Sequence, residues 1–357
     1  MIWTRRLMRT AFIFLVAMTM LADQSDAEIR VEWIHIDGTE TMGLGVLETD
    51  GLRLYTSTKD GVYLSDDDGY TWRPTELAHS TMAIAISRNA VYAGTNNRGV
   101  FRSDSRGVTW NPINNGIRPW EAEPDKEIRY PRIETILVTR SGAVITVMYH
   151  QGTYTSTDRG DTWHDVIDDW ILPGNKERRI DDFPIATGIW SMTEFDGYLW
   201  ASYSSGGYGI YRFPDNGQAW ETTSNYGYGE VRDWAALDGR LVVGAVNGLA
   251  RWSEAGQAWE YIFEGLPELP NIRTLAVNRG RLFAGTASGV YMFDERSEIF
   301  IPAGLQHFSV GDLVSHQSDL YAKAYAHGEL SGIYRASIPV VQAYNKAATT
   351  WGAVKRQ

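Results

Sequence analysis

Hydrophobic residues alternate with polar ones in short runs, and the runs return in the same order. An apolar strand comes first, such as Ile272-Arg273-Thr274-Leu275-Ala276-Val277, and a second follows, such as Leu282-Phe283-Ala284-Gly285-Thr286. A Gly-apolar-aromatic start then opens a third strand, as at Gly289-Val290-Tyr291. Short β-branched and aromatic runs punctuated by glycine predict strands joined by tight turns, not helices. The second strands align at Leu54–Thr58, Val91–Thr95, Leu199–Tyr203, Leu241–Ala245 and Leu320–Ala324. The third strands align at Gly61-Val62-Tyr63, Gly99-Val100-Phe101, Gly152-Thr153-Tyr154, Gly209-Ile210-Tyr211, Gly248-Leu249-Ala250 and Gly332-Ile333-Tyr334.

The turn into each fourth strand carries an eight-residue box of pattern S-x-D-x-G-x-T-W. The first copy holds Ser65, Asp67, Gly69, Thr71 and Trp72; the third holds Ser156, Asp158, Gly160, Thr162 and Trp163. The second keeps Ser103, Gly107, Thr109 and Trp110, with Ser105 in place of the aspartate. The boxes then decay. Asp215, Gly217 and Trp220 survive in the fourth, Glu254, Gly256 and Trp259 in the fifth, and Glu295 and Phe300 in the sixth. Terminal aromatics at 72, 110, 163, 220, 259 and 300 are spaced near the length of a four-stranded propeller blade, roughly 40–45 residues, with two insertions.

Six boxes give six blades. A seventh unit runs from Ser309 through Gly332-Ile333-Tyr334-Arg335 without a fourth strand, while Val31–Ile36 precedes the first blade unused. Trp33 stands where a box Trp would stand. The expectation is an all-β, seven-bladed β-propeller whose N-terminal strand closes the last blade, removing the free edges that template association. Residues 28–336 make the propeller and 337–357 a tail.

The boxes resemble bacterial neuraminidase repeats, or Asp-boxes. Similar repeats occur in sialidases, xyloglucan-cleaving hydrolases, sortilin-type receptors and the photosystem II assembly factor family. The likeness covers nearly the whole chain after its first residues. It implies the propeller fold and leaves activity open, since one fold hosts many functions. In such repeats the box is structural and lies away from the ligand face. Asp66-Asp67-Asp68 invites comparison with a calcium loop, but an EF-hand needs twelve residues and a distal Glu. No metal and no cofactor is expected.

The remaining features set compartment and partners. Arg5, Arg6 and Arg9 precede an apolar run, Thr10 to Ala22, with Ala27 as a small residue for cleavage; residues 1–27 read as a signal peptide. The alternative, a membrane anchor, needs a longer apolar run. Secreted or periplasmic localisation follows, with no integral membrane segment after cleavage. The chain has no Cys, which excludes disulfides and thiolate metal sites. Its formal net charge is −11, and loss of residues 1–27 leaves 30 basic and 42 acidic residues. That balance argues against nucleic acid as a partner. A monomer is the default.

Function is expected on the face that carries the second-to-third turns and the blade-to-blade connections. Long segments fall there: Asn114 to Pro131, Asp168 to Thr187, Ser204 to Tyr208 and Ser224 to Glu230. Trp120, Tyr130, Trp170, Tyr208, Tyr226 and Tyr228 are the candidates for stacking on sugar or anchoring a protein. At the starts of the inner strands, alignment on Leu275 places Met42, Met82, Glu134, Gly188, Arg232, Arg273 and Gly311 in one ring. Arg232 and Arg273 are candidates for gripping an anion. Sialidase-like proteins use three arginines, and their F-R-I-P motif has no match in this sequence. Glu134, Asp233 and Asp312 are the catalytic candidates if the chain is a glycoside hydrolase, which needs paired carboxylates. The seven His show no zinc spacing, no G-x-S-x-G elbow occurs, and Gly206–Gly209 lacks a phosphate-loop Lys. The functional expectation is a non-catalytic binding or assembly scaffold for a protein or glycan; the alternative is a sialidase-like or xyloglucanase-like hydrolase.

Overall fold

A computed structural model supplies the structure, describing residues 31–40, 42, 44–120, 127–149, 151–166, 189–203, 209–214, 221–223, 229–326 and 331–338. The signal-peptide and tail assignments and the fourth box lie outside these residues. Strands form seven four-stranded antiparallel sheets, and no helix occurs among the described residues. Consecutive innermost strands contact one another around a closed ring. The protein is therefore a seven-bladed β-propeller.

Blade 1 is typical, with Leu44–Thr49 innermost, then Leu54–Thr58, Gly61–Ser65 and Arg73–Pro74. Every side chain of Leu54–Thr58 is buried, as expected of a strand covered by sheets on both faces. Blade 7 takes Ser309–His316, Asp319–Tyr325 and Gly332–Ser337 from the end of the chain, and Trp33–His35 from its start. Trp33 pairs with Ala336 and His35 with Tyr334, antiparallel. The closing strand is thus the one expected from the sequence, though only three residues long.

Repeat-level bonds fix Trp33 in its register. Three residues after each box Trp, a backbone N–H donates to the third strand of the same blade. The bonds are Thr75 to Val62, Ile113 to Val100, Val166 to Thr153 and Ala303 to Val290. Ile36, three residues after Trp33, donates likewise to Ile333. The indole N–H of three box Trp residues reaches the equivalent residue of the preceding blade: Trp110 donates to Thr75 Oγ1 at 3.1 Å, Trp163 to the Ile113 carbonyl at 2.6 Å and Trp259 to Thr223 Oγ1 at 3.1 Å, whereas the buried Trp72 indole N–H makes no hydrogen bond. Trp33 donates to the Ala303 carbonyl at 2.7 Å. The N-terminal strand behaves as a seventh box strand without its box.

The box turns supply a second inter-blade tie on the opposite rim from the long connections. Asp67 accepts from the Thr71 amide at 2.8 Å and its hydroxyl at 2.6 Å, and Ser65 Oγ accepts from the Gly69 amide. In the second copy Ser105 Oγ takes the Thr109 amide at 2.8 Å, so a hydroxyl replaces the carboxylate at the same turn. Asp68 and Gly69 both have positive φ, 55° and 82°. A Cβ on Gly69 would lie 3.0 Å from the ring of Tyr321, so glycine serves both the turn and the close approach of that ring. Tyr321 donates its hydroxyl to the Asp68 carbonyl at 2.7 Å; Tyr55 and Tyr92 reach Arg106 and Arg159 in the same way. A second-strand Tyr thus seats on the box turn of the next blade.

Replacing Trp33 by Ala should destabilise the ring by about 3 kcal/mol, the low end for a buried aromatic because Trp33 is only half-buried. Trp33→Phe keeps the packing and loses the indole bond, so its cost should be near 1 kcal/mol. Chemical denaturation of both variants checks the order.

Candidate functional site

Polar residues gather where the innermost strands begin. Six of these strands shift register near their first residue, and in five of them the extra residue is Met82, Glu134, Trp190, Arg232 or Gly311. Arg273 bonds to Gly285 just outside the paired strand, and Gly45 lies in the register shift of blade 1. The ring expected from sequence is therefore adjusted in two blades. Gly45 replaces Met42 in blade 1, and Trp190 replaces Gly188, which lies outside the described residues. Strand starts are set by pairing with the second strand, which alignment on one blade cannot register.

In blades 5 and 7 the residue after the bulge, Asp233 or Asp312, reaches the neighbouring blade. Asp233 Oδ2 accepts the Leu275 amide at 2.6 Å and Oδ1 accepts the Trp234 amide at 2.8 Å. Asp312 Oδ2 accepts the Leu47 amide at 2.6 Å, and Oδ1 accepts the Leu313 amide at 2.9 Å. Thr274 Oγ1 accepts the Leu313 amide at 3.0 Å. Three successive interfaces, from blade 5 round to blade 1, are stitched by the same atom-to-amide bond. Glu134 accepts from Arg132 Nε at 2.9 Å and also from its Nη2. Among the catalytic candidates, then, the oxygens of Asp233 and Asp312 hold backbone and Glu134 holds a guanidinium. Arg232 meets Glu230 at 3.2 Å, and Arg273 donates to Ser309 Oγ at 2.7 Å.

The channel inside the ring has a volume of about 1010 Å³ and is lined by Glu48, Glu134, Arg232 and Asp233 among others. Its electrostatics centre on Glu48, which the sequence reading passed over. Burial, then the nearby Asp312 and Asp233 charges, push the Glu48 carboxyl up to about 8. Burial raises Asp233 to about 7 against its two backbone bonds. Lys323 is fully buried and donates to the Gly45 carbonyl. Burial lowers its ammonium to about 7 despite the attraction of Asp312, and burial raises Asp312 despite Lys323. Desolvation outweighs attraction on both sides of this pair.

On the rim of the long connections a second concavity of about 330 Å³ lies at blades 2 and 3. Trp120 and Tyr130 come to it from the blade-to-blade connection, with Arg129. Tyr149 comes from the second-to-third turn of blade 3, Asn96 and Asn97 from that of blade 2, and Arg132 from the start of the inner strand. Trp120 is 53% exposed and Tyr149 44%, while Tyr130 packs against the core beneath. The Arg132 guanidinium lies 4.7 Å from the Tyr149 ring centroid. The preceding part of the connection is structural: Asn114 Oδ1 accepts the Val100 amide, and Ile117 is buried. Trp170, Tyr208, Tyr226 and Tyr228 lie outside the described residues. Tyr149, Asn96 and Asn97 were missed because their turns are short; only the fold shows them neighbouring Trp120.

Exposed large apolar side chains favour this rim. Met82, Trp120, Ile128, Tyr149, Trp190, Phe263 and Leu269 lie there by topology, against Leu52, Tyr70 and Val108 on the box rim and Ile34 on the outer strand of blade 7. The box rim is laced by ion pairs instead, among them Arg73 with Asp66 at 2.8 Å and Arg102 with Asp161 at 2.7 Å. His35, Asp37 and Glu40 gather within 4.8 Å. Asp37 faces Nδ1 at 3.5 Å and Glu40 faces Nε2 at 3.7 Å, so the carboxylates flank opposite ring nitrogens.

No family model matches the chain, and no curated protein matches its sequence. Solved structures match its fold. YCF48 bound to D1 peptide superposes with a TM-score of 0.60 at 14% identity, over 89% of this chain and 98% of that one. The extracellular domain of BT4673 from B. thetaiotaomicron gives 0.59 at 13%, over 86% of this chain and 40% of that one. PorZ, a surface component of the type-IX secretion system of Porphyromonas gingivalis, gives 0.61 at 14%, over 85% and 48%. The chain spans less than half the length of the last two. At these identities the likeness is one of fold.

The raised carboxyls give stability a pH dependence. A group whose folded value exceeds its unfolded one stabilises fully below the unfolded value, and that contribution fades as pH rises through the folded one. For Glu48 the window runs from 4.5 to about 8. Lys323 acts oppositely, but only from about 7 up to 10.5. Thermal midpoints should therefore fall between about pH 5 and 7, and Glu48→Gln should flatten that slope. Equal slopes in both proteins would show that Glu48 is not the source. Asp312→Ala, by orphaning two amides, should cost about 1–3 kcal/mol near neutral pH, whereas Asp312→Asn should cost less.

Proposed function

We propose that this chain is an exported, non-catalytic binding or assembly scaffold of the Asp-box propeller type, taking its partner on the rim opposite the box turns. One observation carries the reading. The catalytic candidates Asp233 and Asp312 spend both oxygens on backbone amides, one on the neighbouring blade and one on the next residue of their own strand. A general acid or nucleophile must change its bonding during the reaction, and here that change would open an inter-blade seam. Exposed aromatic and apolar side chains gather instead on the rim opposite the box turns.

The fold comparisons support the reading at the level of kind. One neighbour is a peptide complex, one a secretion-system surface component and one an extracellular domain. An extracytoplasmic location and a protein or glycan partner fit that company.

The hydrolase reading keeps one supporting observation: Glu48, with its carboxyl near 8, holds the proton a general acid must hold. The two readings separate in one assay. Purified chain incubated with polymeric glycans from roughly pH 4 to 8, spanning the range where glycosidase acids work, should release no reducing ends. Release that disappears in Glu48→Gln while the variant stays folded would replace the scaffold with an enzyme.

A further inference from the structure

The geometry points to a carbohydrate as the ligand of the groove at blades 2 and 3, a pyranose ring lying flat on Trp120. This assignment rests on the scaffold reading of the same rim and names its ligand class. The backbone around the groove decides against an extended peptide. The Trp120 amide is bonded to the Arg129 carbonyl at 2.8 Å, Tyr130 to Asn97 at 3.0 Å, Tyr149 to Arg132 at 2.8 Å and Asn96 to Ser80 at 2.8 Å. Peptides that add to a sheet are read through open main-chain edges, and these amides are already used.

What the groove leaves available is side-chain chemistry. The exposed indole of Trp120 offers a flat apolar face, and the half-exposed phenol ring of Tyr149 a second. Around them stand the exposed amides of Asn96 and Asn97 and the exposed guanidinium of Arg129. A pyranose presents an apolar C–H face ringed by hydroxyls. Aromatic planes take the first, and amide and guanidinium groups in the ring plane take the second. The volume of about 330 Å³ lies at the lower end of small-ligand sites, ~300–1,000 Å³. That room fits a short glycan segment or chain end. Arg132, drawn onto the Tyr149 face and bonded to Glu134, braces the second platform and ties the groove to the channel mouth.

The test is titration of purified chain with short cello-, malto-, chito- and manno-oligosaccharides, read by tryptophan fluorescence and calorimetry. At least one series should bind, and Trp120→Ala should weaken it about 30-fold or more, as expected when a central aromatic anchor is removed. Tyr149→Ala should weaken it less, and Trp190→Ala, at the channel mouth, should leave it unchanged. Trp120→Ala should remain folded, with a thermal midpoint lowered less than that of Trp33→Ala, because 53% of Trp120 lies in solvent. Binding that survives both Trp120→Ala and Tyr149→Ala would overturn the assignment. So would failure of every sugar to bind, a result that leaves the scaffold reading standing because turnover is measured separately. Binding accompanied by hydrolysis would reverse the outcome: the ligand class holds and the non-catalytic reading falls.

Discussion

Ring closure is the constraint on which everything else in this molecule depends. Seven sheets bury their faces only if the seventh also meets the first, and that junction is made by the two ends of the chain. Three kinds of bond recur between blades, and blade 7 uses all of them: Trp33 reaches back to Ala303 of blade 6, while Tyr321 and Asp312 reach forward to the Asp68 turn and the Leu47 amide of blade 1. Two of the three thus cross from the last blade to the first, and the seam shares the regularity of the other interfaces. The groove at blades 2 and 3 is built on that regularity, with its residues delivered from two blades and the connection between them.

The molecule solves one packing problem with two chemistries. In blades 1 to 3 a box turn with a left-handed residue presents its carbonyl to a neighbouring Tyr. Between blades 4 and 5, where the box has decayed, Trp200 occupies the Tyr position and packs edge-on against Trp252 and Trp259 at centroid distances of 5.4 and 5.9 Å. Arg212 lies over Tyr198 at 4.4 Å and meets Glu221 at 2.7 Å. A directed hydrogen bond is exchanged for aromatic area and a caged cation. Each fixes the distance between sheets, so the loss of box residues along the sequence does not loosen the ring.

Much of this was legible beforehand, for physical reasons. Box residues interact within eight positions, so their spacing survives in the sequence, and Trp33 could be placed because the box Trp has a fixed offset to its strand. Trp120 and Tyr130 were visible as aromatics in an over-long connection. The bulges were not, since an extra residue is defined only against its partner strand; hence Gly45 and Trp190 took places assigned to Met42 and Gly188. Glu48 and Lys323 were hidden for a different reason. Each sits in an otherwise ordinary strand pattern, and its altered acidity arises from groups brought near it by blades distant in sequence. Tyr55, Tyr92 and Tyr321 were in plain view as second-strand residues. Their pairing with intact boxes one blade ahead becomes readable only once blade order is known.

The stitching of Trp33–His35 onto Gly332–Ser337 also sets a timetable for biosynthesis. A polypeptide emerging from the ribosome has its first blade strand in hand from the outset but no partner for it until some three hundred residues later. Partial chains therefore carry an unmatched sheet edge at either end, and the cooperative native state is out of reach before the last strand is released.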